Sequence, residues 1–313
     1  MNVLRWGQSA YETDADLALE AEATRRLGGR YHLHIGPDAP LEAADVLVVH
    51  SGTRVRGADL DRFAGRLIVT TTSGYDHIDL AAARARAVRV ARCPLARRDA
   101  VVEHALDGMI RLLRRLPALE AEAVRGRWAR SDLPKLAPRA IAGATIAVVG
   151  LGVIGTRMVE VLRALGANVI GIDPNVSLPD LEMGTIDDVP RADAITLHCS
   201  LGTSSRALIS AARIATLRPE QVLVNTARGD VLDLDAAIAA VQHGRLRGLA
   251  VDVFPDEPYP SLASGAQTPG ILFTPHASGY VHDLGARVAR EVAATLTAFV
   301  RDETLPNLVT EDR

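Results

Sequence analysis

Three polar residues follow one another in the second half of the chain: Arg228 in Asn225-Thr226-Ala227-Arg228-Gly229-Asp230, Glu257 in Asp256-Glu257-Pro258 and His276 in Thr274-Pro275-His276-Ala277. A guanidinium can grip a carboxylate and a neighbouring carbonyl oxygen with paired hydrogen bonds. A histidine near neutrality is the usual proton shuttle. A carboxylate beside it stabilises the imidazolium and fixes the tautomer, which suits donation to a ketone being reduced. Singly, each has a plainer reading. Arg228 has Asp230 and Asp233 as local salt-bridge partners, and His276 is one of nine histidines, most of which must be structural.

Upstream lies Gly150-Leu151-Gly152-Val153-Ile154-Gly155. A glycine triplet alone is a weak signal, but here an apolar strand precedes it, a helix follows, and Asp173 comes about twenty residues later. Gly150 permits the tight turn, Gly152 lets the backbone approach a pyrophosphate, and Gly155 lets the helix pack on the strand. The first turn of the helix, with Val153 and Ile154, then offers free amides and a favourable dipole to phosphate. Asp173 can accept from both ribose hydroxyls of an adenosine. It would repel a 2′-phosphate, so NAD is expected rather than NADP. The plainer reading of Asp173 is a turn opener before Pro174.

The elements that must position these residues alternate between short apolar runs and helical stretches. In the first part, strands are expected at 3–4, 31–35, 45–50 and 66–71, with helices at 14–27, 60–63 and 80–87. A long periodic helix is expected at 100–116, interrupted or ended by Pro117, with helix resuming over 120–128 and Pro134 and Pro138 marking a connector. Further strands follow at 145–149, 169–172, 194–198, 222–225, 249–253 and 271–274, with a helix at 154–165. A last helix at 283–301 is expected to cross back onto the first part. Such alternation predicts an α/β chain whose parallel sheets carry helices on both faces. The expected domains are 1–98 with 283–313, and 99–282. Arg228, Glu257 and His276 each follow a strand, so all three face the crevice at the strands' carboxyl ends.

At 313 residues, two domains are the default. Hydrophobic residues are 48% and charged residues 23%, an ordinary globular balance. A net charge of -3 offers no footprint for nucleic acid or an anionic membrane. Cys93 and Cys199 form neither a disulfide framework nor a metal-type spacing, which fits a reducing compartment, and no metal is expected. The polar start is not a signal peptide, and no apolar run nears the roughly 20 residues of a membrane span. A cytoplasmic protein is the expectation.

The chain resembles the D-isomer-specific 2-hydroxyacid dehydrogenases over nearly its whole length. The stretches that carry the likeness are Thr72-Ser73-Gly74-Tyr75-Asp76-His77-Ile78-Asp79, Ala100-Val101-Val102-Glu103-His104-Ala105, Gly126-Arg127-Trp128, Gly150 to Gly155, Asn225 to Gly229, Val251-Asp252-Val253-Phe254 with Glu257-Pro258, and Pro275-His276-Ala277-Ser278-Gly279. The resemblance implies a flavodoxin-like substrate domain and a Rossmann NAD-binding domain, each a doubly wound parallel sheet. It implies reversible reduction of a 2-oxo acid to the D-2-hydroxy acid. Arg228 would bind the substrate's carboxylate and oxo group, His276 would be the general acid and base, and Glu257 its partner. The amides around Ser73, Gly74 and Tyr75 would help hold the carboxylate. Asp252 would accept from the nicotinamide carboxamide, and Cys199, Thr226, Ala227 and His276 would border the cofactor. It further implies a homodimer formed through the NAD-binding domain, with residues 115–135 as the arm.

Some positions depart from the family. Ser200 stands where proline is frequent, residues 173–193 are short, and Leu95-Ala96-Arg97-Arg98 replaces a glycine- or asparagine-rich loop. Glu257 argues against formate dehydrogenases, which pair the histidine with glutamine. An NAD-sensing corepressor resembling C-terminal-binding protein, and a dehydrogenase of a phosphorylated hydroxy acid or of phosphite, stay open. His50, Arg54, Arg97 and Arg98 fall in loops of the first domain or its hinge. Solvated surface charge is their default reading, and recognition of a second anionic group on the substrate is the alternative.

Overall fold

Runs such as Val46-Leu47-Val48-Val49 and Thr145-Ile146-Ala147-Val148-Val149 bury nearly every side chain, the mark of parallel strands covered on both faces. The computed structural model describes residues 1–309. It divides into two units, Met1–Arg97 with residues 280–309, and Arg98–Gly279. Residues 310–313, included in the expected first domain, lie outside the described residues.

The first unit runs β1 (Asn2–Trp6), α1 (Asp14–Arg26), β2 (Arg30–His34), β3 (Val46–Val49), α2 (Gly57–Arg62), β4 (Leu67–Thr70), α3 (Leu80–Ala85) and β5 (Arg89–Arg92). The strands form one parallel sheet in the order β2-β1-β3-β4-β5, the flavodoxin-like winding. Because side chains alternate along a strand, Leu47 and Val49 enter one core layer and Val46 and Val48 the other. Thr13 and Asp16 close α1 with a capping box.

The second unit holds most of α4 (Leu95–Leu113), then α5 (Leu116–Val124), α6 (Leu133–Leu136), β6 (Thr145–Val149), α7 (Val153–Ala164), β7 (Asn168–Ile172), β8 (Glu182–Gly184), β9 (Ala194–Leu197), α8 (Ala211–Ile214), β10 (Val222–Asn225), α9 (Leu234–Gln242), β11 (Gly248–Val251), α10 (Leu262–Ala266) and β12 (Ile271–Phe273). Its parallel sheet has the order β12-β11-β10-β9-β6-β7-β8, a Rossmann winding that reverses between β9 and β6. Ile146 and Val148 pack with α4 and α7, while Ala147 and Val149 pack with the α9 side. The last helix, α11 (Leu284–Val300), belongs to the first unit, where Val288, Val292 and Leu296 join Val3, Val46 and Val48.

Several local expectations need correction. The long helix starts earlier than residue 100, because Glu291 of α11 accepts from the amides of Leu95 (3.1 Å) and Ala96 (2.9 Å). Pro117 lies in the first turn of α5, where its missing N–H costs nothing, so it opens a helix, while α4 ends at Leu113 ahead of Arg115, whose φ is 57°. The strands β5 and β8 and the helices α6, α8, α9 and α10 were not expected. Arg97 and Arg98 sit in α4 rather than in a loop.

Candidate active site

The glycine turn follows β6, and Cys199 follows β9, so both stand at the carboxyl edge where the strand order reverses. A Cβ on Gly155 would stand 1.8 Å from the Gly150 carbonyl oxygen, so only glycine fits beneath the turn. A Cβ on Gly152 would meet nothing, and this open face lies at the N-terminus of the twelve-residue α7. Asp173, at the end of β7, accepts from Leu151 N (2.7 Å) with one oxygen and from Asn175 N (2.8 Å) and Val176 N (3.0 Å) with the other. It therefore opens the turn before Pro174 and also ties that turn to the glycine loop. Burial pushes the Cys199 thiol up to about 11, so it stays protonated at neutral pH.

Thr226 follows β10, and its hydroxyl is buried without a hydrogen-bond partner among the described residues. An orphaned hydroxyl, an open glycine face, free helix amides and a carboxylate after the second strand of this unit together fit a dinucleotide. The histidine His198, which sequence reasoning did not single out, packs beside the turn with its Nε2 2.9 Å from Thr196 Oγ1. Desolvation pushes it down to about 4, so it carries no charge near neutrality.

The strands β10, β11 and β12 are neighbours, which puts Arg228, Glu257 and His276 on loops along one edge. Asn225 builds the first loop, its side chain accepting from Ala227 N (3.0 Å) and donating to Arg228 O (2.9 Å). A Cβ on Gly229 would stand 2.0 Å from the Phe254 carbonyl carbon, so the Arg228 loop lies directly on the backbone leading to Glu257. Arg228 is half-buried and donates from Nη1 to Ala227 O (2.7 Å). Of its two local candidates, Asp230 pairs with Arg206 (2.6 Å) and Asp233 caps α9.

Glu257 accepts from Phe254 N (3.0 Å) with Oε1 and meets His276 Nδ1 (2.7 Å) with Oε2. An ionised carboxylate only accepts, so the proton between them sits on Nδ1, which leaves Nε2 to give or take a proton. The His276 side chain is half exposed. His276 holds φ at 52°, an uncommon value outside glycine, and its amide donates to Asp252 O (2.7 Å).

Asp252, only 1% exposed, accepts from Thr274 Oγ1 (2.6 Å), Ala277 N (2.8 Å) and Ser278 N (2.9 Å). Burial works to raise its pKa, but the hydrogen bonds from Ser278, Thr274 and Ala277 outweigh it and hold the carboxyl below its ordinary value. A cavity of about 300 Å³ opens beside Asp252, Thr226 and His104.

Ser73, Gly74 and Tyr75 follow β4 in the first unit. Ser73 O accepts from Arg92 (3.2 Å), Gly74 O accepts from Thr72 Oγ1 (2.7 Å), and Tyr75 is buried beneath the Arg92 guanidinium. Three of the four basic residues nominated for a second anion have local engagements, and the fourth is exposed. Arg97 donates to Thr71 O, Arg98 pairs with Asp99 (3.0 Å), His50 Nδ1 accepts from Gly52 N (3.1 Å) and Arg54 is exposed.

Residues 106–278 match the family model for the D-isomer specific 2-hydroxyacid dehydrogenase, NAD binding domain. The chain belongs to the D-isomer-specific 2-hydroxyacid dehydrogenase family. A D-3-phosphoglycerate dehydrogenase of Methanocaldococcus jannaschii is 33% identical over 278 residues, covering 86% of this chain and 52% of that one. An (S)-sulfolactate dehydrogenase of Chromohalobacter salexigens is 32% identical, covering 78% and 80%. Among solved structures, D-lactate dehydrogenase from Aquifex aeolicus, complexed with NAD and lactic acid, superposes with a TM-score of 0.80 at 25% identity, covering 96% of each chain. This chain spans about half the length of its phosphoglycerate dehydrogenase relatives. It carries the family's NAD-binding domain on a Rossmann sheet, and no helix among the described residues is long and apolar enough to cross a membrane.

Proposed function

We propose that the protein reduces a 2-oxo acid to the D-2-hydroxy acid, reversibly, with His276 as the acid. The observation that carries this reading is the 2.7 Å contact between His276 Nδ1 and Glu257, on the same strand edge as Arg228. Glu257 fixes the tautomer and balances the charge of the imidazolium, so Nε2 is the atom that protonates the carbonyl oxygen. Arg228 grips the carboxylate and stabilises negative charge building on that oxygen. When bound, NADH supplies the hydride. Its pyrophosphate would lie against Gly152 and the first turn of α7, with Val153 and Ile154. Its adenosine ribose would meet Asp173, and Cys199, Thr226, Ala227, Asp252 and His276 would border the rest. The first unit would be the substrate-binding half, with the amides around Ser73, Gly74 and Tyr75 as its anion-binding groups.

We place homodimerisation on residues 115–135. The helix α5 fully buries none of its side chains, and Val124 (89%) and Trp128 (84%) stand exposed, more apolar surface than a solvated arm needs. The partner is a second copy of the chain.

Relatives named for phosphoglycerate and sulfolactate favour a substrate with a second anionic group, for which His50, Arg54, Arg97 and Arg98 stay the candidates. One assay addresses both matters: NADH oxidation with glyoxylate, pyruvate, phenylpyruvate, hydroxypyruvate phosphate and sulfopyruvate. Turnover of at least one acid is expected. Silence across the panel would refute the reading, and a preference for the phosphorylated or sulfonated acid would establish the second anion.

A further inference from the structure

The helix α4 lies against β11 in a close antiparallel register. A Cβ on Gly248 would stand 2.7 Å from the Leu112 side chain, and one on Gly108 would stand 2.9 Å from the Ala250 methyl. One helical turn advances about 5.4 Å and two strand residues about 6.6 Å, so the next turn of α4 reaches the end of the strand. His104 occupies that turn, and Asp252 and Thr274 stand there to meet it.

The three side chains form a directed chain. Thr274 Oγ1 lies 2.6 Å from Asp252 Oδ1 and 2.9 Å from His104 Nε2. Both Asp252 oxygens already accept from backbone amides, so the carboxylate takes the single hydroxyl proton of Thr274. Thr274 can then only accept from the imidazole, and His104 Nε2 carries the hydrogen. The far end of the chain is the loop bearing His276. The Asp252 carboxylate holds the amides of Ala277 and Ser278, and its carbonyl holds the amide of His276. A histidine at φ 52° persists only where its surroundings over-determine the backbone.

We propose that His104 is a positioning residue for His276, acting through Thr274 and Asp252 on the backbone of residues 276–278. The consequence for turnover rests on the role proposed above for His276; the consequence for the loop does not. Among the described residues His104 makes no hydrogen bond to His276 or Glu257, and its own hydrogen bond ends on a side chain 170 residues away.

Amide hydrogen exchange in the full chain without added cofactor tests this. The variants are His104→Leu, Thr274→Val, their combination, and His104→Gln, whose amide can still donate to Thr274. Each single variant is expected to accelerate exchange at Ala277 and Ser278 about fivefold to thirtyfold, the worth of one hydrogen bond, while the Val224 amide in β10 is unchanged. The double variant should be no faster than the worse single one, because each removes the same chain. His104→Gln should stay near wild type. With an acid that the protein reduces, kcat should fall in step while KM stays within about a factor of two. Unchanged exchange at both amides would overturn the proposal, as would equal acceleration at Val224 or additive effects in the double variant. Accelerated exchange with undiminished kcat would sever the link to His276. If no acid is reduced, the exchange result still stands by itself, so a failure of the functional reading is told apart from a failure of this one.

Discussion

After β6 the chain turns on glycines, with Gly155 seated on the Gly150 carbonyl and Gly152 facing open space. After β10, β11 and β12 it turns on Asn225, Asp252 and Glu257, each reaching from its side chain to backbone amides in its own or a neighbouring loop. The glycine turn is thus shaped by leaving side chains out, and the reacting end by tying loops together with polar ones. The contrast fits the tasks proposed for the two ends. A pyrophosphate needs bare backbone and a helix terminus, whereas proton transfer needs an imidazole fixed in position and tautomer.

If the two ends have separate tasks, they should fail separately. His276→Ala should have the largest effect, lowering kcat about 10²–10⁴-fold while leaving the NADH dissociation constant within about a factor of two. A matching loss of NADH binding would break the contrast. Gly155→Ala should do the reverse. The added Cβ must push the glycine turn off its carbonyl, so NADH affinity should fall about 10-fold or more, with a stability loss of about 1–3 kcal/mol in denaturant unfolding. Unaltered NADH affinity would show that the turn does not shape the cofactor site.

Asp252→Asn should have the smallest effect, about 1–2 kcal/mol of stability at pH 7, because one of the held amides would face an amide donor. The Asp252 carboxyl is depressed in the folded state, so its contribution is complete above the ordinary carboxylate pKa of about 4 and is lost as pH falls through the lower folded value. Unfolding curves of the two proteins should therefore converge below about pH 4. A gap that stayed constant down to pH 3 or so would assign the effect to packing rather than charge.

The same contrast explains what the sequence made legible. A need for bare backbone is written as glycine, and a strand buried on both faces is written as a run such as Val222-Leu223-Val224, so the glycine turn, both parallel sheets and the order of Arg228, Glu257 and His276 could be read directly. The family could be read as well. A tie between loops leaves no such trace. Thr274 meets Asp252 from 22 residues away and His104 from 170, separations that no periodicity reveals. The edge strand Glu182–Gly184 escaped notice because it has three residues and only one large apolar side chain. Arg97 and Arg98 looked like loop residues because the carboxylate that starts α4 comes from Glu291, far along the chain.

The most direct test is the product itself. With the acid that best supports NADH oxidation, the 2-hydroxy acid formed should be the D isomer on chiral separation, one molecule for each NADH consumed. An L or racemic product, or NADH consumed without a hydroxy acid appearing, would contradict the account.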